Sequence, residues 1–157
     1  MRSKAEVSSS LTDDTDKLAS IAQQFIHQGT VQDIRPLGNG NINDTYLVNT
    51  TQPFVLQRIN TDVFPKPRLV MDNLCQFVSH ARQRLNKAPL NHRWEIPTVL
   101  RTDDNQHHWI DPQENVWRGL SFVHSTTTFD TIQDHDHARE IGYGLGCFHS
   151  LLSDLPP

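Results

Sequence analysis

The chain is poor in the features that would assign it to several classes at once. It has two cysteines in 157 residues, Cys75 and Cys147. They are too few and too far apart for a disulfide framework or a zinc ribbon, and they read as buried free thiols. No stretch approaches 18 consecutive apolar residues, the length a membrane-spanning helix needs. The first residues, MRSKAEVSSSLTDDTDK, lack the apolar core of a secretory signal, so a cytoplasmic location is expected. Basic charge is not in excess. The net charge is -4 and the isoelectric point about 6.1, which argues against nonspecific nucleic-acid binding as the main task. Hydrophobic residues make up 36% and charged residues 20%, with a mean hydropathy of -0.55, a polar but foldable balance. The length fits one domain, or one domain and part of a second. There is no internal repeat.

What is present is a succession of short periodic segments. Residues 1–14 are rich in Ser, Thr and Asp, and a disordered lead-in through residue 16 is expected. Leu18, Ile21, Ala22 and Phe25 then mark one face of a helix, with Asp13 or Asp14 as its cap and Gly29 as its stop. Three strand-like pieces follow: Val31 to Leu37, Asn43 to Asn49 and Phe54 to Ile59. The turns between them carry Gly38-Asn39-Gly40-Asn41 and NTTQP. A helix from about 67 to 85 has Val70, Leu74, Phe77, Val78, Ala81 and Leu85 on its apolar stripe. Ile96 to Thr102, His107 to Asp111 and Asn115 to Val123 read as further strands. Asp103-Asp104-Asn105 and Asp111-Pro112-Gln113 are the turns between them. A last helix spans about 134 to 153, with Ala138, Ile141, Leu145, Phe148 and Leu152 in register. Gly142, Gly144 and Gly146 weaken it, and so many glycines suggest close packing. The sum is an α+β chain with a five- or six-stranded antiparallel sheet.

One loop can carry chemistry. Leu37 to Thr45 (LGNGNINDT) is glycine-rich between two strands, so backbone N–H groups can approach an anion where no Cβ intrudes. An ordinary hairpin turn is the plainer reading. A kinase-type phosphate site would add a cation on the third strand and an acid on the next helix. The third strand offers Gln57 and Arg58 but no lysine, and the helix offers Asp72. Which of Gln57 and Arg58 faces a cleft depends on a one-residue register that the sequence leaves open. Asp134 to His137 (DHDH) could ligate a transition metal, although consecutive side chains rarely converge and a solvated turn is the simpler account.

LGNGNINDTYLV, followed by FVLQRIN, Val63-Phe64 and VMDN, then WRGLSFV, TTTFD and GYGLGCFHSLLSDLP, resembles the aminoglycoside phosphotransferase superfamily. Within it the chain is most similar to the N-acetylhexosamine kinase-like branch. The resemblance covers about residues 17 to 157. It implies a protein-kinase-like fold, with an ATP-binding small lobe over 17–122, a hinge over 123–129 and the start of a larger lobe over 130–157. It implies that Gly38, Asn39, Gly40, Asn43 and Thr45 cover the nucleotide phosphates. Gln57 or Arg58 would take the cation position and Asp72 the helix-acid position, while Phe122, Val123 and His124 would hold the adenine edge.

The implied activity is ATP-dependent phosphorylation of a small alcohol or sugar hydroxyl, such as that of an N-acetylhexosamine, with Mg²⁺ as the metal. Nucleic acid and membrane are not among the implied partners. The family's H-x-D catalytic loop and its Mg²⁺ ligands find no match in these 157 residues. The chain alone is therefore expected to be inactive. A truncated remnant, or a nucleotide-binding module that needs a partner chain, is the alternative.

Overall fold

The computed structural model describes residues 15–38, 42–90 and 92–155. The expected caps Asp13 and Asp14 lie outside them, as do Asn39 and Gly40. Helix α1 (residues 15–23) is already under way at Thr15, so Thr15 and Asp16 are helical, not part of a lead-in. It stops before Gly29, because the backbone tightens into i→i−3 bonds. Gln24 N donates to Ile21 O (3.2 Å), Phe25 N to Ala22 O (3.0 Å) and Ile26 N to Gln23 O (3.2 Å).

Five strands follow in one antiparallel sheet: β1 (Asp33–Pro36), β2 (Asp44–Asn49), β3 (Phe54–Ile59), β4 (Trp109–Ile110) and β5 (Val116–Ser121). Their order is β1-β2-β3-β5-β4. Helix α2 (Pro67–Lys87) lies between β3 and β4 in sequence, and α3 (His135–Leu152) follows β5. No helix among the described residues is long and apolar enough to cross a membrane.

Ile96 to Thr102 is not a strand. It makes one isolated bridge, Val99 with Leu120. Leu100 N donates to Gly119 O and Ser121 N to Thr98 O, but Thr98 N is taken by the Ser121 hydroxyl (2.8 Å). A side chain thus occupies the donor that would continue the ladder.

The alternation of strand residues decides the core. Tyr46 pairs with Leu56, and Val48 with Phe54. Leu56 pairs in turn with Gly119. That face meets Ile21, Ala22, Phe25 and Ile26 of α1 and the turn after it, with Trp117 in the same cluster. A Cβ on Gly119 would lie 3.1 Å from both Phe25 Cδ1 and Leu100 Cβ, so the missing side chain makes room for the aromatic ring.

The chain divides into two compact units. One holds the described residues up to Met71 with Thr98–Phe122; the other holds Asp72–Pro97 with the chain from Val123 onward. The sequence reading grouped 72–97 with 17–122 instead. Contacts inside the second unit explain the difference. Asp154 lies 3.0 Å from His80 Nε2 and 2.6 Å from an Arg84 nitrogen. The rings of Phe77 and Phe148 stand 5.7 Å apart. These ties join α2 to α3. The side of α3 bearing Ile141 and Leu145 is exposed, at 48% and 54%. A Cβ on Gly142, Gly144 or Gly146 would meet nothing within 4 Å, so the close packing expected there is absent among the described residues.

The β4–β5 turn is organised by one buried carboxylate. Asp111 is 3% exposed. Its Oδ1 accepts from the backbone N of Gln113 (2.9 Å) and of Asn115 (2.8 Å). Its Oδ2 accepts from Asn115 Nδ2 (2.8 Å) and Trp117 Nε1 (3.2 Å). Lys17 Nζ on α1 stands 3.7 Å away. Burial alone would raise the pKa. The hydrogen bonds from Asn115, Trp117 and Gln113 outweigh it and hold the carboxyl below its usual value of 3.8.

Because the folded pKa is depressed, the stabilisation is fully present above pH 3.8 and is lost as pH falls below it. Asp111→Ala strands several donors and costs about 3 kcal/mol. Urea unfolding at pH 7 measures that loss. A second series down to pH 3 should show the difference between wild type and variant narrowing.

Candidate functional site

The strand register places Gln57 and Arg58 on opposite faces of the sheet. Arg58 pairs across with Asp44 on β2 and Trp117 on β5, on the face that packs against α1. Its Nε donates to Asp44 Oδ2 at 2.7 Å, a second guanidinium nitrogen also contacts that oxygen, and NH1 reaches Asn115 Oδ1 at 3.4 Å. Its side chain is 44% exposed. These groups and Asn60 line a polar pocket of about 260 Å³ at the ends of β2 and β3. Arg58 therefore has a carboxylate of its own.

Gln57 lies on the other face, in the next row of the ladder. There Thr45 of β2, Gln57 of β3 and Arg118 of β5 stand side by side. Gln57 Nε2 donates to Thr45 Oγ1 at 2.9 Å. Gln57 Oε1 accepts from Arg118 Nε at 2.9 Å and from Arg118 NH2 at 2.5 Å. All three side chains are half-buried. Among the described residues no carboxylate comes within ion-pairing distance of Arg118, although seven such pairs occur elsewhere. Burial lowers the pKa of the guanidinium from its usual value, and an arginine stays charged at neutral pH nonetheless. The row is thus a cation held by one neutral acceptor.

The glycine-rich hairpin joins this row at its base. Leu37 N donates to Thr45 O at 2.9 Å, closing the loop. Gly38 takes φ +73°, the left-handed conformation that suits glycine. Asn43 is spent on the fold: its Oδ1 accepts from Asn60 N at 2.9 Å and fixes the hairpin to the end of β3. Its carbonyl accepts from the Thr45 hydroxyl at 3.3 Å.

Asp72 is exposed on α2, in the second compact unit. Phe122 and Val123 are half-buried and His124 is exposed, in the segment after β5. The structure brings Thr45 and Gln57 together. It separates Arg58 from them by the thickness of the sheet.

Arg118 is the residue that sequence reasoning missed. Its only signal is a charged residue inside an otherwise apolar strand, WRGLSF.

Asp134 is the N-cap of α3, its Oδ1 accepting from His137 N at 2.7 Å. His137 Nδ1 in turn accepts from Gln133 N at 3.1 Å. These bonds account for the DHDH run as a helix start. No group of three or more His, Cys, Asp or Glu residues comes together as metal ligands among the described residues.

No known protein-family model matches the chain.

The exposed Asp44–Arg58 pair should contribute little to stability. Arg58→Met is expected to cost less than about 1 kcal/mol in urea unfolding. A loss well above that would show that the pair has a structural role which its exposure does not suggest.

Proposed function

We propose that this chain is the nucleotide-binding, small-lobe part of an ATP-dependent phosphotransferase with a protein-kinase-like fold. The acceptor would be a small alcohol or a sugar hydroxyl, such as that of an N-acetylhexosamine. The substrate class rests on the resemblance to the aminoglycoside phosphotransferase superfamily. The observation that carries the nucleotide reading is the base of the glycine-rich hairpin. There Thr45 leads through Gln57 to a half-buried guanidinium that has no carboxylate partner among the described residues. A polyphosphate needs backbone donors and an uncommitted positive charge; Arg118 would supply the charge, and Thr45, which closes the hairpin through Leu37 N, stands in the same row.

On this reading the hairpin covers the phosphates and the segment from Phe122 to His124 lies along the adenine. The chain's own residues bind and orient the nucleotide. Proton removal from the acceptor falls to an H-x-D loop that these residues do not contain. A nucleotide-binding module working with a partner chain is a second reading, favoured by the exposed apolar side of α3.

Calorimetric titration of the 157-residue chain tests the proposal. ATP should bind saturably and more tightly than adenosine. ATP hydrolysis and transfer to N-acetylhexosamines should stay at background. Absence of ATP binding would remove the proposal; turnover by this chain alone would remove the division of labour.

A further inference from the structure

We infer that Arg118 is the phosphate-contacting cation of the site, in place of the lysine that β3 lacks, and that Gln57 is its positioning residue. The inference rests on the nucleotide-binding reading above and assigns its contacts. A guanidinium carries five N–H donors. Two of them, on Nε and NH2, converge on Gln57 Oε1. That fixes the plane of the group while three donors remain for a ligand. Gln57 is itself fixed, because its amide donates to Thr45 Oγ1.

The acceptor's neutrality is the decisive feature. A carboxylate at position 57 would hold the guanidinium equally well but would cancel its charge. An amide orients it and leaves the charge to attract an anion. Arg58 cannot serve instead, because it already pairs with Asp44 and stands on the face that α1 covers. A planar, pre-oriented fork suits two oxygens of a phosphate group, whereas a lysine would present a point charge.

The test separates orientation from charge. Wild type, Gln57→Glu, Arg118→Met and Arg118→Lys are titrated calorimetrically with sodium tripolyphosphate, ATP and adenosine, and urea midpoints are taken for each. Tripolyphosphate should bind wild type, more weakly as salt rises. Gln57→Glu should lose at least about tenfold in tripolyphosphate affinity while its urea midpoint stays level or rises, since it gains an ion pair with Arg118. A structural role alone would not separate those two readouts. Arg118→Met should lose as much, and Arg118→Lys should recover part of it. If Arg118→Met does not fold, Gln57→Glu decides.

Tripolyphosphate affinity within about threefold of wild type in Gln57→Glu would overturn the assignment, as would failure of wild type to bind tripolyphosphate. If ATP binds wild type, Gln57→Glu and Arg118→Met equally, the assignment falls and the nucleotide reading stands. If tripolyphosphate binding depends on Arg118 but ATP binds no more tightly than tripolyphosphate, the assignment stands and the nucleotide reading falls.

Discussion

Pairing of β2, β3 and β5 in a single register decides both the core and the polar face. Two adjacent rows cross the three strands. Asp44, Arg58 and Trp117 form one; Thr45, Gln57 and Arg118 form the other. Since side chains alternate along a strand, a slip of one residue in β3 would exchange the faces. Gln57 would then point toward Ile21 and Phe25, and Phe54 and Leu56 would leave them. A buried amide without its partners costs roughly 1–3 kcal/mol. Two large apolar side chains returned to water cost roughly 1.5–3 kcal/mol each. Both penalties act against the slip, so the hydrophobic contacts with α1 also set the position of Arg118.

Charge is handled in three ways within the same sheet. Arg58 is largely exposed and sits beside an acid, where solvent screening leaves the pair weak. Asp111 is buried and draws its stabilisation from neutral N–H donors of its own turn and from an indole. Arg118 is half-buried and takes a neutral acceptor. The last two cases are near mirror images: a charge removed from bulk water is held chiefly by dipoles, with Lys17 Nζ 3.7 Å from Asp111 and no carboxylate beside Arg118 among the described residues. For Asp111 the donors saturate both carboxylate oxygens, so the arrangement is closed and structural. For Arg118 the single acceptor leaves donors over. No buried polar side-chain atom lacks a hydrogen-bond partner among the described residues.

Much of this architecture was legible before the structure. The meander from β1 to β3 is bounded by turn residues with unambiguous chemistry, and α2 and α3 follow from their apolar periodicity. The failures have physical causes. Ile96 to Thr102 has strand-like composition, but the Ser121 hydroxyl takes the Thr98 donor, and composition cannot express that competition. The glycines of α3 suggested close packing because their helix cost is local, whereas their surroundings are not. Thr45 and Gln57 were recognised as polar residues near the hairpin. Arg118 was not, because it is 61 positions from Gln57 and only strand pairing makes them neighbours. The choice between Gln57 and Arg58 needed the register, which no local pattern encodes.

The exposed position of Asp72 gains a meaning from this arrangement under the proposed reading. A lysine on β3 would be a flexible point charge, and an acid on the next helix would be needed to hold it in place. An arginine fixed by an amide in its own sheet needs no such acid. Among the described residues the Asp72 carboxylate makes no hydrogen bond or ion pair, and the first turn of α2 carries no acidic residue. The hydrogen bonds that orient the guanidinium come from within the sheet. In a site built with a lysine and a helix acid, displacement of the helix disarms the cation. Here the guanidinium of Arg118 is held by Gln57, and Gln57 by Thr45, all within the sheet.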